Sequence, residues 1–266
     1  MSVLSEVAPE VVERNVAIEI DQTFVDFDNL NVLNDISLSI SEGEFITILG
    51  PSGCGKSTLL RVVSDLVSSS KGTISVFGKS PEFARRDRDI AFVFQDAALL
   101  PWRTALENVK LPLEMGVKGC KNLHVNEKSP EELLEMVGLK GRENALPHEL
   151  SGGMRQRVAI ARALVCKPKL LLMDEPFGAL DEITRDWLNV EIRRIWKETG
   201  TTILFVTHSI PEAVFLGQRV LMLEAHPGRV KELIEVELPA DRCLSTRETT
   251  QFVKIAARLR KLLEEC

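Results

Sequence analysis

Three short apolar runs each stop abruptly on polar residues: "FITILG" from Phe45, "KLLLMDEP" from Lys169 and "TTILFVTH" from Thr201. Runs of this kind suit parallel strands buried on both faces, with reactive side chains at their carboxyl ends. "GTISVFG" (Gly72 to Gly78) and "DIAFVFQ" (Asp89 to Gln95) read as two further strands, and "NVAIEIDQTFVDF" and "NDISLSI" alternate as half-buried strands do. Helical patterns run from Lys56 to Val67 and from Asp181 to Thr199, the second closed by Gly200. Between Ala97 and Glu149 the character changes. Pro101, Pro112, Pro130 and Pro147 punctuate short helical stretches such as "SPEELLEMVGL", which Ser129 can cap, and the segment predicts a helical insertion. The tail from Thr249 to Glu265 places Phe252, Ile255, Leu259 and Leu262 near helical spacing.

Composition narrows the class. A chain of 266 residues with 44 % hydrophobic content can bury a sizeable core. The net charge of −6 gives no electrostatic support to nucleic-acid binding. The basic cluster "RRDR" at Arg85 to Arg88 is short and interrupted by acid, and reads as a solvated turn. Met1 to Val16 is polar and acidic, unlike a secretory signal, and no apolar run approaches the roughly 18 residues of a membrane helix. The five cysteines are scattered without metal-ligand spacing and fit free thiols.

Two stretches carry phosphate chemistry. "GPSGCGKST", from Gly50 to Thr58, matches the P-loop pattern between an apolar strand and a helix. Its glycines permit backbone conformations that aim N–H groups at phosphate. Lys56 would neutralise the β and γ phosphates, and Ser57 would bind Mg²⁺. "ELSGGMRQR", from Glu149 to Arg157, places a capping serine and two glycines before an amphipathic helix, a second anion site about a hundred residues later. At the strand ends, Asp174 can hold Mg²⁺ and Glu175 could polarise an attacking water. His208 could contact the γ-phosphate, and the Gln95 amide could bridge Mg²⁺ or water.

In this order the motifs resemble those of the nucleotide-binding subunit of an ABC transporter, over roughly Val16 to Leu223. The resemblance implies an α/β P-loop NTPase fold with a RecA-like core, an antiparallel β lobe and a helical lobe at about 96–165. The ATPase domain would span 16–235, after a flexible leader at 1–15 and before a C-terminal extension at 236–266 with a helix near 249–265. It also implies roles. ATP would bind at the Walker A residues Gly50, Pro51, Ser52, Gly53, Cys54, Gly55, Lys56, Ser57 and Thr58. Ser57, Gln95 and Asp174 would hold Mg²⁺. Lys56, Gln95, Glu175 and His208 would be catalytic, with Asp181 closing the D-loop. The chain has no tyrosine, so Phe27, with Phe24 the weaker alternative, would stack on adenine. The family's usual histidine–aspartate pair is His208–Ser209 here, which removes a neighbouring charge.

The resemblance explains the second anion site. Two subunits face each other head to tail, and Ser151, Gly152 and Gly153 of one close over the ATP held by the other. "FQDAALLPWRTALENV", "MDEPFGALDEITR" and "HPGRV" resemble the ATPase subunits of bacterial importers for nitrate, sulfonate, taurine and related solutes. The implied partners are a second copy, transmembrane permease subunits and, indirectly, a periplasmic solute-binding protein. The implied place is the cytoplasmic face of the inner membrane. The rival readings lack their marks: no N-K-x-D motif of a GTPase occurs, and a P-loop kinase would not need the "SGG" segment. A soluble ABC ATPase acting without a channel would carry two cassettes or a long coiled-coil insertion.

Overall fold

The computed structural model describes residues 15–28, 30–115 and 128–266. The expected leader therefore lies outside the described residues, save Asn15. Strands β1 (Val16–Phe27) and β2 (Leu30–Ser41) form an antiparallel pair, joined beyond β1 by β4 (Lys71–Val76) in a three-stranded sheet. Their inward positions, Ile18, Ile20, Val25, Ile36 and Ile40, are buried, as period-2 alternation requires.

The second sheet has six strands. Strand β3 (Phe45–Leu49) lies between β7 (Thr202–Val206) and β8 (Arg219–Glu224). Beyond β7 come β6 (Leu170–Asp174) and β5 (Ile90–Val93), all parallel, and β9 (Arg229–Glu235) closes the other edge antiparallel to β8. Every residue of β3, β6 and β7 is buried, which is why these runs show no alternation. Register levels their ends. Ile48 pairs with Val206, and Val206 with Asp174, so the segments leaving β3, β6 and β7 emerge at one edge of the sheet.

Helix α1 (Lys56–Val63) follows β3 and packs between the two sheets with Leu59, Leu60, Val62 and Val63 buried. It ends four residues before the expected Val67, because Ser64 caps it and Asp65 turns left-handed at φ 58°. Helix α2 (Pro81–Arg86) takes in the first half of "RRDR", with Arg85 paired to Asp65, while Asp87 and Arg88 form the turn that the cluster suggested. Helices α3 (Ala105–Glu114), α4 (Pro130–Met136) and α5 (Gly152–Leu164) pack on one another. Ser129 and Glu132 form a capping box at the start of α4. Helix α6 (Glu182–Thr199) joins β6 to β7, α7 (Ile210–Leu216) joins β7 to β8, and α8 (Thr250–Glu264) packs on α7. A tilted aromatic group of Phe45, Phe177, Phe205 and Trp196 ties β3 and β7 to α6.

Cys166 takes part in a disulfide, against the expectation of free thiols throughout; Cys54, Cys243 and Cys266 are free. Among the described residues no helix is long and apolar enough to cross a membrane.

Candidate functional site

The loop from Gly50 to Gly55 is built by steric exclusion. A Cβ on Gly50 would lie 2.5 Å from the Leu223 carbonyl oxygen and 2.8 Å from Cys54 Sγ, so only hydrogen fits there. Gly53 and Gly55 take φ of 79° and 91°, open to glycine at no cost. Gly55 caps α1 without a side chain, which leaves the first amides of the helix for an anion. Lys56, nearly buried, folds back across the loop and donates to the carbonyls of Gly50 and Pro51, each at 2.8 Å. Its ammonium thereby sits over the hollow that the backbone encloses. Val32, Ser52, Gly53, Lys56, Ser57, Thr58 and Glu175 line a cavity of about 250 Å³ at this point.

Ser57 Oγ donates to Asp174 Oδ1 at 2.8 Å. Burial pushes the Asp174 carboxyl up, and the Ser57 bond opposes the shift. A buried carboxylate and a hydroxyl converging in this way form a hard oxygen pair suited to Mg²⁺. Glu175 follows with φ 44°, an uncommon conformation for a residue with a side chain, held by its N–H bond to the Val206 carbonyl. Its Oε2 lies 3.3 Å from His208 Nδ1. Strand β5 stops at Val93, and Gln95 comes two residues beyond it. A Cβ on Gly178 would lie 3.7 Å from Gln95 Nε2 and 3.8 Å from Glu175 Oε2, so both side chains flank this glycine. Lys56, Ser57, Gln95, Asp174, Glu175 and His208 thus converge on one edge of the sheet.

Other candidates stand apart. Phe27 is exposed at the end of β1, Phe24 is half-buried, and neither lines the loop cavity. Ser151 caps α5, its Oγ accepting from Met154 N–H. Ser151 and Gly152 are exposed and do not line the cavity of their own chain. A Cβ on Gly153 would lie 2.7 Å from Thr184 Cγ2, so this glycine lets α5 approach α6. Asp181 Oδ1 accepts from Thr184 N–H and caps α6, and that bond pulls its carboxyl below the usual range. Cys54 is fully buried and its thiol is pushed up by burial, so the sulfur is not an accessible lining atom of the loop.

Residues without a motif hold the chain on both sides of Gln95. From α5, Gln156 donates to the Phe94 carbonyl and Arg162 to those of Ala97 and Ala98. Asn108 on α3 binds Leu100 in both directions, through N–H and C=O. A lone polar residue on a helix face that is otherwise apolar was the sole signal for each.

Residues 33–178 match the family described as ABC transporter. The chain is 44 % identical over 228 residues to the aliphatic sulfonates import ATP-binding protein of Bacillus subtilis, covering 86 % of this chain and 85 % of that one. It is 42 % identical over 216 residues to the taurine import ATP-binding protein of Escherichia coli, covering 81 % and 82 %. Among solved structures, a dimeric ATP-binding cassette in a post-hydrolysis state with ADP and phosphate superposes with a TM-score of 0.70 at 34 % identity, over 84 % of this chain and all of that one. With a P-loop, an Asp–Glu strand end whose aspartate is buried, and a histidine levelled on one sheet edge, the chain belongs to the ABC transporter family as an ATP-binding, ATP-hydrolysing cassette.

Proposed function

We propose that the chain powers import of a small solute of the sulfonate, taurine or nitrate kind, through a pair of its own copies at the cytoplasmic face of the membrane. The observation that carries the ATPase chemistry is the contact of Glu175 with His208, beside a P-loop whose lysine and serine are already placed. Similarity to the sulfonate and taurine import proteins supports the solute class.

The chain's own groups divide the work. The amides of the loop and of the first turn of α1 receive the phosphates, and Lys56 exchanges its two carbonyl partners for phosphate oxygens. Mg²⁺ held by Ser57, Asp174 and Gln95 would neutralise charge on the β and γ phosphates. Glu175 takes a proton from the attacking water as its oxygen bonds the γ-phosphorus and the bond to ADP breaks. His208 holds the γ-phosphate and keeps Glu175 oriented. The exposed Ser151 and Gly152 serve the ATP of the second copy, and the α5 N-terminus adds its positive end. The apolar segment Leu99 to Trp102, with Trp102 72 % exposed, receives the permease subunits, and a periplasmic binding protein delivers the solute to them.

The test is turnover against binding in one variant. His208→Ala should bind a fluorescent ATP analogue as wild type does and lose at least roughly a hundredfold in kcat. Wild-type kcat in this variant would overturn the assignment.

A further inference from the structure

The backbone that presents His208 is held by a buried carboxyl that no motif includes. Glu212, on α7, is 5 % exposed. Its Oε2 accepts from Thr207 Oγ1, and the same Thr207 oxygen accepts from Ser209 N–H at 2.9 Å. The Thr207 side chain therefore bridges the residues on either side of His208, and its single proton is committed to Glu212. On the strand side, Thr207 N–H donates to the Ile48 carbonyl, just before the P-loop. The fully buried Asn189 on α6 is a polar neighbour of Glu212, yet neither its amide nor Glu212 Oε1 makes a close hydrogen bond among the described residues. Leaving a buried carboxyl in such a place costs stability and is unneeded for packing α7, where a leucine would serve.

We propose that Glu212 is a positioning residue for ATP hydrolysis: through Thr207 it fixes the His208–Ser209 turn that sets His208 against Glu175. The inference rests on the reading of His208 given above. Burial pushes the Glu212 carboxyl up, while Thr207 and Asn189 act in the opposite direction. Arg185, whose charge also acts on Glu212, donates to the carbonyls of Phe177 and Leu180 in the loop after Glu175. The loop after Glu175 and the residues around His208 are thus each held by a helix side chain.

The experiment compares Glu212→Ala, Glu212→Gln and Thr207→Val in the full chain. Each is measured for kcat, KM for ATP, and amide exchange at Ser209 and along β7. Glu212→Ala and Thr207→Val should each lower kcat roughly tenfold with KM within about twofold. Ser209 exchange should quicken by roughly tenfold while β7 keeps its protection. Glu212→Gln, which can still accept from Thr207, should restore kcat and Ser209 protection. Two results would overturn the proposal: wild-type kcat in both disrupting variants, or loss of β7 protection together with Ser209, which marks a general structural role. If His208→Ala itself keeps full turnover, the reading of His208 fails, while the Ser209 exchange still decides whether Glu212 clamps the turn.

Discussion

Gly50 and Asp174 show how much of this site is settled at single atoms. With 2.5 Å between a Gly50 Cβ and the Leu223 carbonyl, Gly50→Ala must displace backbone of β8 or of the loop itself. The expected result is a loss of about 1–3 kcal/mol in a thermal melt and failure to bind ATP in a titration. Asp174 has the opposite balance. Its buried carboxyl is pushed up, so the folded state holds the proton more tightly than the unfolded chain. The charged form therefore weakens the fold above the ordinary carboxylate range, and this penalty fades as pH falls toward about 4. Asp174→Asn should raise stability near neutral pH by roughly 1 kcal/mol, lose that gain in acid, and lose hydrolysis. Melts at two pH values with an ATPase assay check all three. Lys56, Ser57, Asp174, Glu175 and His208 were legible from sequence because each ends an apolar run or sits in a glycine frame. Cys54 was legible as a loop residue, but its burial was not, since that depends on β8 passing beneath the loop.

At the scale of elements, continuous apolar runs gave away β3, β6 and β7, and alternation gave away β1 and β2. Lengths were less legible. Helix α1 stops where Asp65 turns left-handed, and α2 extends into a cluster whose charges suggested a turn. The segment from Ala97 to Arg103 has no regular structure of its own, yet Asn108 and Arg162 pin its carbonyls at Leu100 and Ala97 to α3 and α5. Sequence pattern cannot show this, because the partners lie eight to 65 residues away. Leu99 and Leu100 are half-buried on that frame, and Trp102 projects beside them. Leu100→Glu should thus leave the free subunit folded, with a melt within a few degrees of wild type, and reduce its recovery in a pull-down with the permease subunits by at least roughly tenfold. Normal recovery would exclude a docking role for Leu100.

At the scale of the molecule, the two anion-binding stretches of one copy stand apart. The P-loop, Asp174, Glu175 and His208 share an edge because register levels β3, β6 and β7. The exposed Ser151–Gly152 helix start lines no part of its own chain's cavity. In the function proposed above, a second copy supplies it, with ATP between the two. Sheet order and this separation were beyond the reach of pattern, since neither follows from local periodicity. The central claim is a shared site that ATP closes and hydrolysis opens, and size exclusion of Glu175→Gln with MgATP tests it most directly. Glu175→Gln keeps the loop contacts, so it should bind ATP, fail to hydrolyse it, and elute as a persistent dimer, while wild type returns to monomer as ATP is consumed. A variant that turns over ATP at the wild-type rate, or binds ATP and stays monomeric, would contradict the account.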